Sequence, residues 1–161
     1  MQKMNLRAIS GLGLLVILIL AGAQIPASGN NGKGRRLEGT WRVQSTLRSC
    51  QTGAAIATQP LLNTFLSGGS MISNPSVSPS LLSTGHGVWE HAGGRNFINT
   101  VVLFQFNPAN GIYVGTITIT RNIELAEDSD AFTSTDTAEA ADPSGNVIET
   151  RCATTAGRRL E

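Results

Sequence analysis

From Thr40 onward the chain alternates apolar and polar residues over short stretches, with no long repeat at the 3.6-residue period of a helix. Eight runs stand out: Thr40 to Ser49, Pro60 to Leu66, Ser70 to Ser73, Gly85 to His91, Asn96 to Phe106, Ile112 to Leu125, Ala131 to Ala141 and Val147 to Ala156. Between them lie SGG, AGGR, NPANG, AEDSD and DPSGN, built from residues that suit tight turns. The segment NPSVSPSLLST is the one longer irregular connection, and TGAAIATQPLL also suits a short helix. This pattern predicts an antiparallel, all-β domain.

The clearest run is IYVGTITITRNIEL. Tyr113, Gly115, Ile117, Ile119, Ile123 and Leu125 share one face, while Val114, Thr116, Thr118, Thr120, Asn122 and Glu124 share the other. One face is thus buried and one wet. Turn lengths then set the neighbouring registers, because a one-residue slip inverts the buried face. Pairing Phe104 with Tyr113 leaves a loop from Asn107 to Asn110 and turns Ile98, Thr100, Val102, Phe104 and Phe106 inward. A Gly93-Gly94 hairpin turn pairs Trp89 with Ile98 and brings Trp89 inside, with His86 and Glu90 outside. Eight such runs in sequence order predict an up-and-down barrel, whose closure removes the sheet edges; a β-sandwich is the alternative.

The N-terminus changes the picture of length and compartment. Lys3 and Arg7 precede the uncharged run AISGLGLLVILILAGA, which ends in Ala21-Gly22-Ala23, a small-x-small cleavage pattern. Its apolar core, Leu12 to Leu20, is short beside the roughly 20 residues of a spanning helix. The reading is a signal peptide over 1–23, a flexible linker over 24–38 and one domain over 39–161, secreted or periplasmic, with no membrane span left after cleavage. Gln24 follows the junction, which excludes a lipid-modified cysteine there. Cleavage leaves about 138 residues, enough for one domain. It also leaves ten basic against eleven acidic residues, so neither nucleic acid nor anionic lipid has an electrostatic claim on the chain.

In a secreted chain the two cysteines, Cys50 and Cys152, read as a disulfide, with two buried thiols as the alternative. If they bond, the first and last strands are neighbours. Two cysteines and two histidines without ligand spacing argue against a metal site, and no motif calls for a cofactor.

Gly39-Thr40-Trp41, at the start of the first run, resembles the Gly-x-Trp signature of lipocalins and the wider calycin group. The resemblance implies a calycin-like eight-stranded antiparallel up-and-down barrel in which Trp41 closes one end and packs against a basic residue of the last strand. The terminal TTAGRRLE offers Arg158 or Arg159 for that structural role. The stretches GHGVWEHAGGRNF, GTITIT and NPANG are also similar to those of uncharacterised secreted bacterial proteins with lipocalin-like barrels, a likeness that carries no activity. The later lipocalin motifs are not present, and the chain leaves no room for a C-terminal helix.

One charge breaks the alternation. Arg121 falls on the apolar face, and extending the AEDSD hairpin so that Leu125 pairs with Phe132 sets Ile123 opposite Ser134 and Arg121 opposite Asp136. An interior arginine then meets an interior carboxylate, as low polarity demands. Either the pair is structural, or a bulge turns Arg121 to solvent, or Arg121 tuned by Asp136 holds the polar head of a ligand. Phe132, Ser134, Asp136, Ala138 and Ala140 share the inner face of AFTSTDTAEAA, and their small size leaves room for a cavity. Trp89, Tyr113 and Phe104 complete the expected ligand-binding set. With aromatics at 5% of the chain, no large aromatic plug is expected.

No serine or cysteine sits in a nucleophile elbow, so no catalytic residue is assigned. The expected function is a secreted barrel, monomeric or a small homo-oligomer, that binds a small and mostly hydrophobic ligand. A barrel isomerase or cyclase, similar to allene oxide cyclase and dirigent proteins and drawing on Arg121, Asp136 and His91, is the alternative. An extracellular interaction module with a filled core is a third reading. No acid–base pair with convincing spacing is visible, which favours binding over catalysis.

Overall fold

The computed structural model describes residues 37–160, so the expected signal peptide and most of the expected linker lie outside the described residues. Eight strands form: β1 (Gly39–Arg48), β2 (Ala55–Phe65), β3 (Ser70–Pro75), β4 (Gly85–Gly93), β5 (Asn96–Phe106), β6 (Tyr113–Leu125), β7 (Ala131–Ala141) and β8 (Val147–Arg159). Each pairs antiparallel with the next, and β8 returns to β1 from Trp41↔Arg159 to Arg48↔Cys152. The sheet is therefore a closed up-and-down barrel and not a sandwich. Segment TGAAIATQPLL, open to a helical reading, extends β2 instead, because pairing with β1 continues to Ala55 and Thr46 and Thr58 share a hydroxyl hydrogen bond of 3.0 Å.

Cys50 and Cys152 are bonded, with Cα atoms 5.1 Å apart across a sequence separation of 102. The bridge ties the β1–β2 connection to β8. The packed chain starts before β1, since Leu37 is fully buried and its carbonyl accepts from Trp41 Nε1 at 2.9 Å. That places the end of the expected linker inside the fold.

The interior divides along the barrel axis. One end is closed by Trp41, Phe65, Trp89, Phe97 and Phe132, which meet edge-on or tilted with centroids 5.0 to 6.3 Å apart. Such pairs contribute about 0.5–1.5 kcal/mol each beyond their buried area. Aromatics are few, but five of the eight gather here, so an aromatic plug exists where none was expected. Gly157 makes room for it: a Cβ at that position would lie 2.2 Å from the Phe132 ring. Arg159 seals the same end from outside the cluster. Its guanidinium lies 4.3 Å from the Trp41 ring centroid and donates to the carbonyls of Glu38 and Ser129. Arg159, and not the exposed Arg158, is thus the partner that the lipocalin likeness implied for Trp41.

The alternation of β6 from Gly115 onward and that of β7 fall as read from the sequence, with Leu125↔Phe132, Ile123↔Ser134 and Arg121↔Asp136 all paired, whereas Tyr113, expected inward, is exposed. Strand β5 is inverted. Phe97, Asn99, Val101 and Leu103 face inward, while Ile98, Thr100, Val102 and Phe104 face out. Two register shifts cause this, one between His91 and Gly93 and one opposite Gln105 and Phe106. Each inserts a residue that counting back from a regular turn omits. At the second, Gly115 has φ +141°, and a Cβ there would lie 1.9 Å from the Ala141 carbonyl oxygen. Trp89 stays inside but pairs with Asn99.

Replacing both bridge residues, Cys50→Ala with Cys152→Ala, should lower the unfolding free energy by about 2–5 kcal/mol without altering the far-ultraviolet signature of the folded state. Guanidinium titrations of the two proteins check this; coincident transitions would show that the bridge stabilises nothing.

Candidate functional site

Beyond the aromatic end, the barrel carries a cluster of buried polar side chains. Arg121 on β6 and Asp136 on β7 are 2% and 6% exposed and sit opposite each other in register. Arg121 Nε donates to Asp136 Oδ2 at 3.2 Å. Ser134, two residues before Asp136 on the same face of β7, donates to Oδ1 at 2.6 Å, and Thr155 on β8 donates to Oδ2. Three donors thus converge on one carboxylate, the arrangement that makes a buried charge tolerable.

The arginine is less completely served. Nη1 is buried and has no hydrogen-bond partner among the described residues. Burial pushes the Arg121 pKa below the usual arginine value, and the Asp136 carboxylate opposes that shift. The guanidinium remains charged at neutral pH because arginine does not give up its proton in proteins. Nearby, Asn99 pairs in register with Arg121 and donates through Nδ2 to Met71 Sδ, while its Oδ1 is also unpartnered. Asn63, on β2, leaves both side-chain polar atoms without partners.

The Arg121–Asp136 pair lines a cavity of about 210 Å³ that opens at the end of the barrel opposite the aromatic cluster. Leu47, Leu61, Leu103, Ile117 and Ile119 form its apolar walls. Ala138, Ala140 and Ala153 face them, and their short side chains leave the space. Leu82 closes one flank from the β3–β4 connection, which is held against β5 by a bridge to Gln105 and by Ser83 N donating to the Phe104 carbonyl. Thr58, Gln59 and Arg151 make the outer part of the lining polar, Arg151 being held by Glu149 at 2.6 Å.

Of the side chains expected to bind ligand, Arg121 and Asp136 meet in the cavity and the other three do not. Trp89 belongs to the aromatic end, where its Nε1 donates to the Leu66 carbonyl at 3.0 Å. Phe104 and Tyr113 pack on each other outside the barrel, 52% and 41% exposed, because the register shift beside Gly115 turns both outward. His91 also lies away from the cavity, packed on Phe97 with Nε2 at 3.0 Å from the Gly94 carbonyl. The small inward residues of β7 do line the cavity, as their alternation predicts. Sequence reasoning missed Leu103, hidden by the inverted β5, and Thr155, whose strand it left without a register. The alternation of β8 leading to Gly157 is the signal that locates Thr155.

Compared with protein-family models, characterised proteins and solved structures, the chain matches none. Among the described residues no group of metal-ligating side chains is assembled, and no helix is long and apolar enough to cross a membrane.

Truncating Asp136→Ala should destabilise the fold by about 3–5 kcal/mol, because Arg121 becomes an uncompensated buried charge. The double replacement Arg121→Met with Asp136→Leu should cost less than Asp136→Ala, because no unpaired charge remains and only the Ser134 and Thr155 hydroxyls lose their acceptor. Urea unfolding of the three proteins separates these outcomes; a mild effect of Asp136→Ala would mean that water reaches the pair.

Proposed function

We propose that this barrel binds a small, mostly hydrophobic molecule in its interior. The observation that carries the reading is the apolar cavity of about 210 Å³ with a buried ion pair in its lining. Its volume exceeds the roughly 150 Å³ of an engineered apolar cavity that takes up benzene. A barrel evolved only for rigidity has no use for three facing alanines beside leucines and isoleucines, since unfilled volume costs stability. The Gly39-Thr40-Trp41 entry to β1 and the Trp41–Arg159 stack support a calycin-like carrier. The Cys50–Cys152 bridge fits an extracellular or periplasmic setting, where disulfides persist.

Binding is favoured over isomerase or cyclase chemistry by the state of the only carboxylate in the cavity lining. Asp136 already accepts from Ser134, Thr155 and Arg121, which fill about three of its four lone-pair sites and tie its charge to the guanidinium. A general base needs a free lone pair within reach of the proton it removes.

Native mass spectrometry of the oxidised protein tests the reading directly, because a co-purified or added apolar molecule appears as a discrete mass shift. Filling the space by Ala138→Phe should lower affinity for such a molecule at least about tenfold, at an overpacking cost of about 1–3 kcal/mol. Unchanged affinity in a folded Ala138→Phe variant would place the ligand elsewhere.

A further inference from the structure

We propose that the cavity selects an uncharged hydrogen-bond acceptor, the carbonyl oxygen of a compact ketone, aldehyde or ester, and rejects carboxylates. This rests on the ligand-binding reading above and names the chemistry of its ligand.

The argument is one of charge and hydrogen-bond accounting. Arg121 and Asp136 contribute one positive and one negative charge, both side chains only 2% exposed, so this part of the lining is electrically neutral. A carboxylate arriving there would put a second anion beside Asp136 with a single buried cation to share, because Arg151, the other cation of the lining, lies in its outer part and is paired with Glu149. Two carboxylates in one dry site cannot both stay ionised without a large penalty. An ammonium head meets the same difficulty with the sign reversed, because the one available carboxylate is already occupied by three donors.

The donor side is different. A guanidinium carries five N–H groups, and Arg121, which lines the cavity, spends only its Nε on Asp136. A carbonyl oxygen supplies lone pairs to the N–H groups that Arg121 does not spend on Asp136 and adds no charge. It also brings no proton that would need an acceptor of its own. The apolar walls of Leu103, Ile117 and Ile119 then receive the rest of the molecule, and Ala138 and Ala140 set its width.

The test uses the oxidised protein and three probes of similar shape: cyclohexane, cyclohexanone and cyclohexanecarboxylate. Dissociation constants come from the amide shifts of Ala138 and Ala140 in heteronuclear spectra. Cyclohexanone should bind about tenfold more tightly than cyclohexane, a factor worth about 1.4 kcal/mol, and the carboxylate should bind more weakly than the ketone by a similar factor or more. In Asp136→Asn the order of the two oxygenated probes should reverse, since Arg121 then faces the cavity uncompensated. The Arg121→Met with Asp136→Leu double variant, expected to fold, should bind cyclohexane and cyclohexanone equally. Equal binding of those two by the wild type, or a preference for the carboxylate, overturns the head-group assignment alone. Failure of both neutral probes to bind overturns the cavity reading beneath it as well.

Discussion

The pairing of β8 with β1 is the constraint on which the rest depends. Without it the sheet is an open ribbon with two unpaired edges and no defined inside. With it, each inward residue of every strand is committed to one enclosed volume, and the question at each position becomes whether that volume tolerates the side chain. The seam is secured at both ends by different means. At one end Arg159 lies over Trp41 and reaches back to the Glu38 carbonyl. At the other, the Cys50–Cys152 bridge holds β8 to the end of β1. Stacking, hydrogen bonding and a covalent link thus fix the same two strands, which are the farthest apart in sequence.

Closure explains why Arg121 can be where it is. On an open sheet an arginine between Ile119 and Ile123 would turn its head to water along its own aliphatic stem. Inside a sealed barrel that route is blocked, and the guanidinium must find its counter-charge within the wall. The β6–β7 register supplies Asp136 directly opposite, and β8 adds Thr155 to complete the carboxylate's shell. Each member of the group comes from a position set by pairing alone, so the polar cluster is as rigid as the ladder beneath it.

How much of this was legible depended on the contrast between the two faces of each strand. In β6 the outward residues are threonines and the inward ones isoleucines, so a single alternation determined the face, and the short AEDSD turn carried it correctly into β7. That chain of inference reached the Arg121–Asp136 pair from sequence. Strand β5 offers no contrast, because Phe97, Val101 and Leu103 alternate with Ile98, Val102 and Phe104. Only turn geometry remained to decide its face, and the extra residues near Ala92 and Val114 each inverted the count. The inward placement expected of Phe104 and Tyr113 failed for that reason. A strand apolar on both faces hides its register, and the inner wall of the cavity was hidden with it.

The two halves of the interior follow from where bulk is placed. Trp41, Phe65, Phe97 and Phe132 fill one end, and Gly157 yields volume to the Phe132 ring. Toward the other end the side chains of β7 and β8 shrink to Ala138, Ala140 and Ala153, and the barrel no longer fills. The ion pair lies between these regimes. Placed among the aromatics, Arg121 would have had no room; placed at the mouth, water would have screened it into irrelevance. At the boundary it is shielded from bulk water and borders the empty volume. The same alanines that lower the packing of the barrel therefore leave open volume beside Arg121, the one buried cation among the described residues.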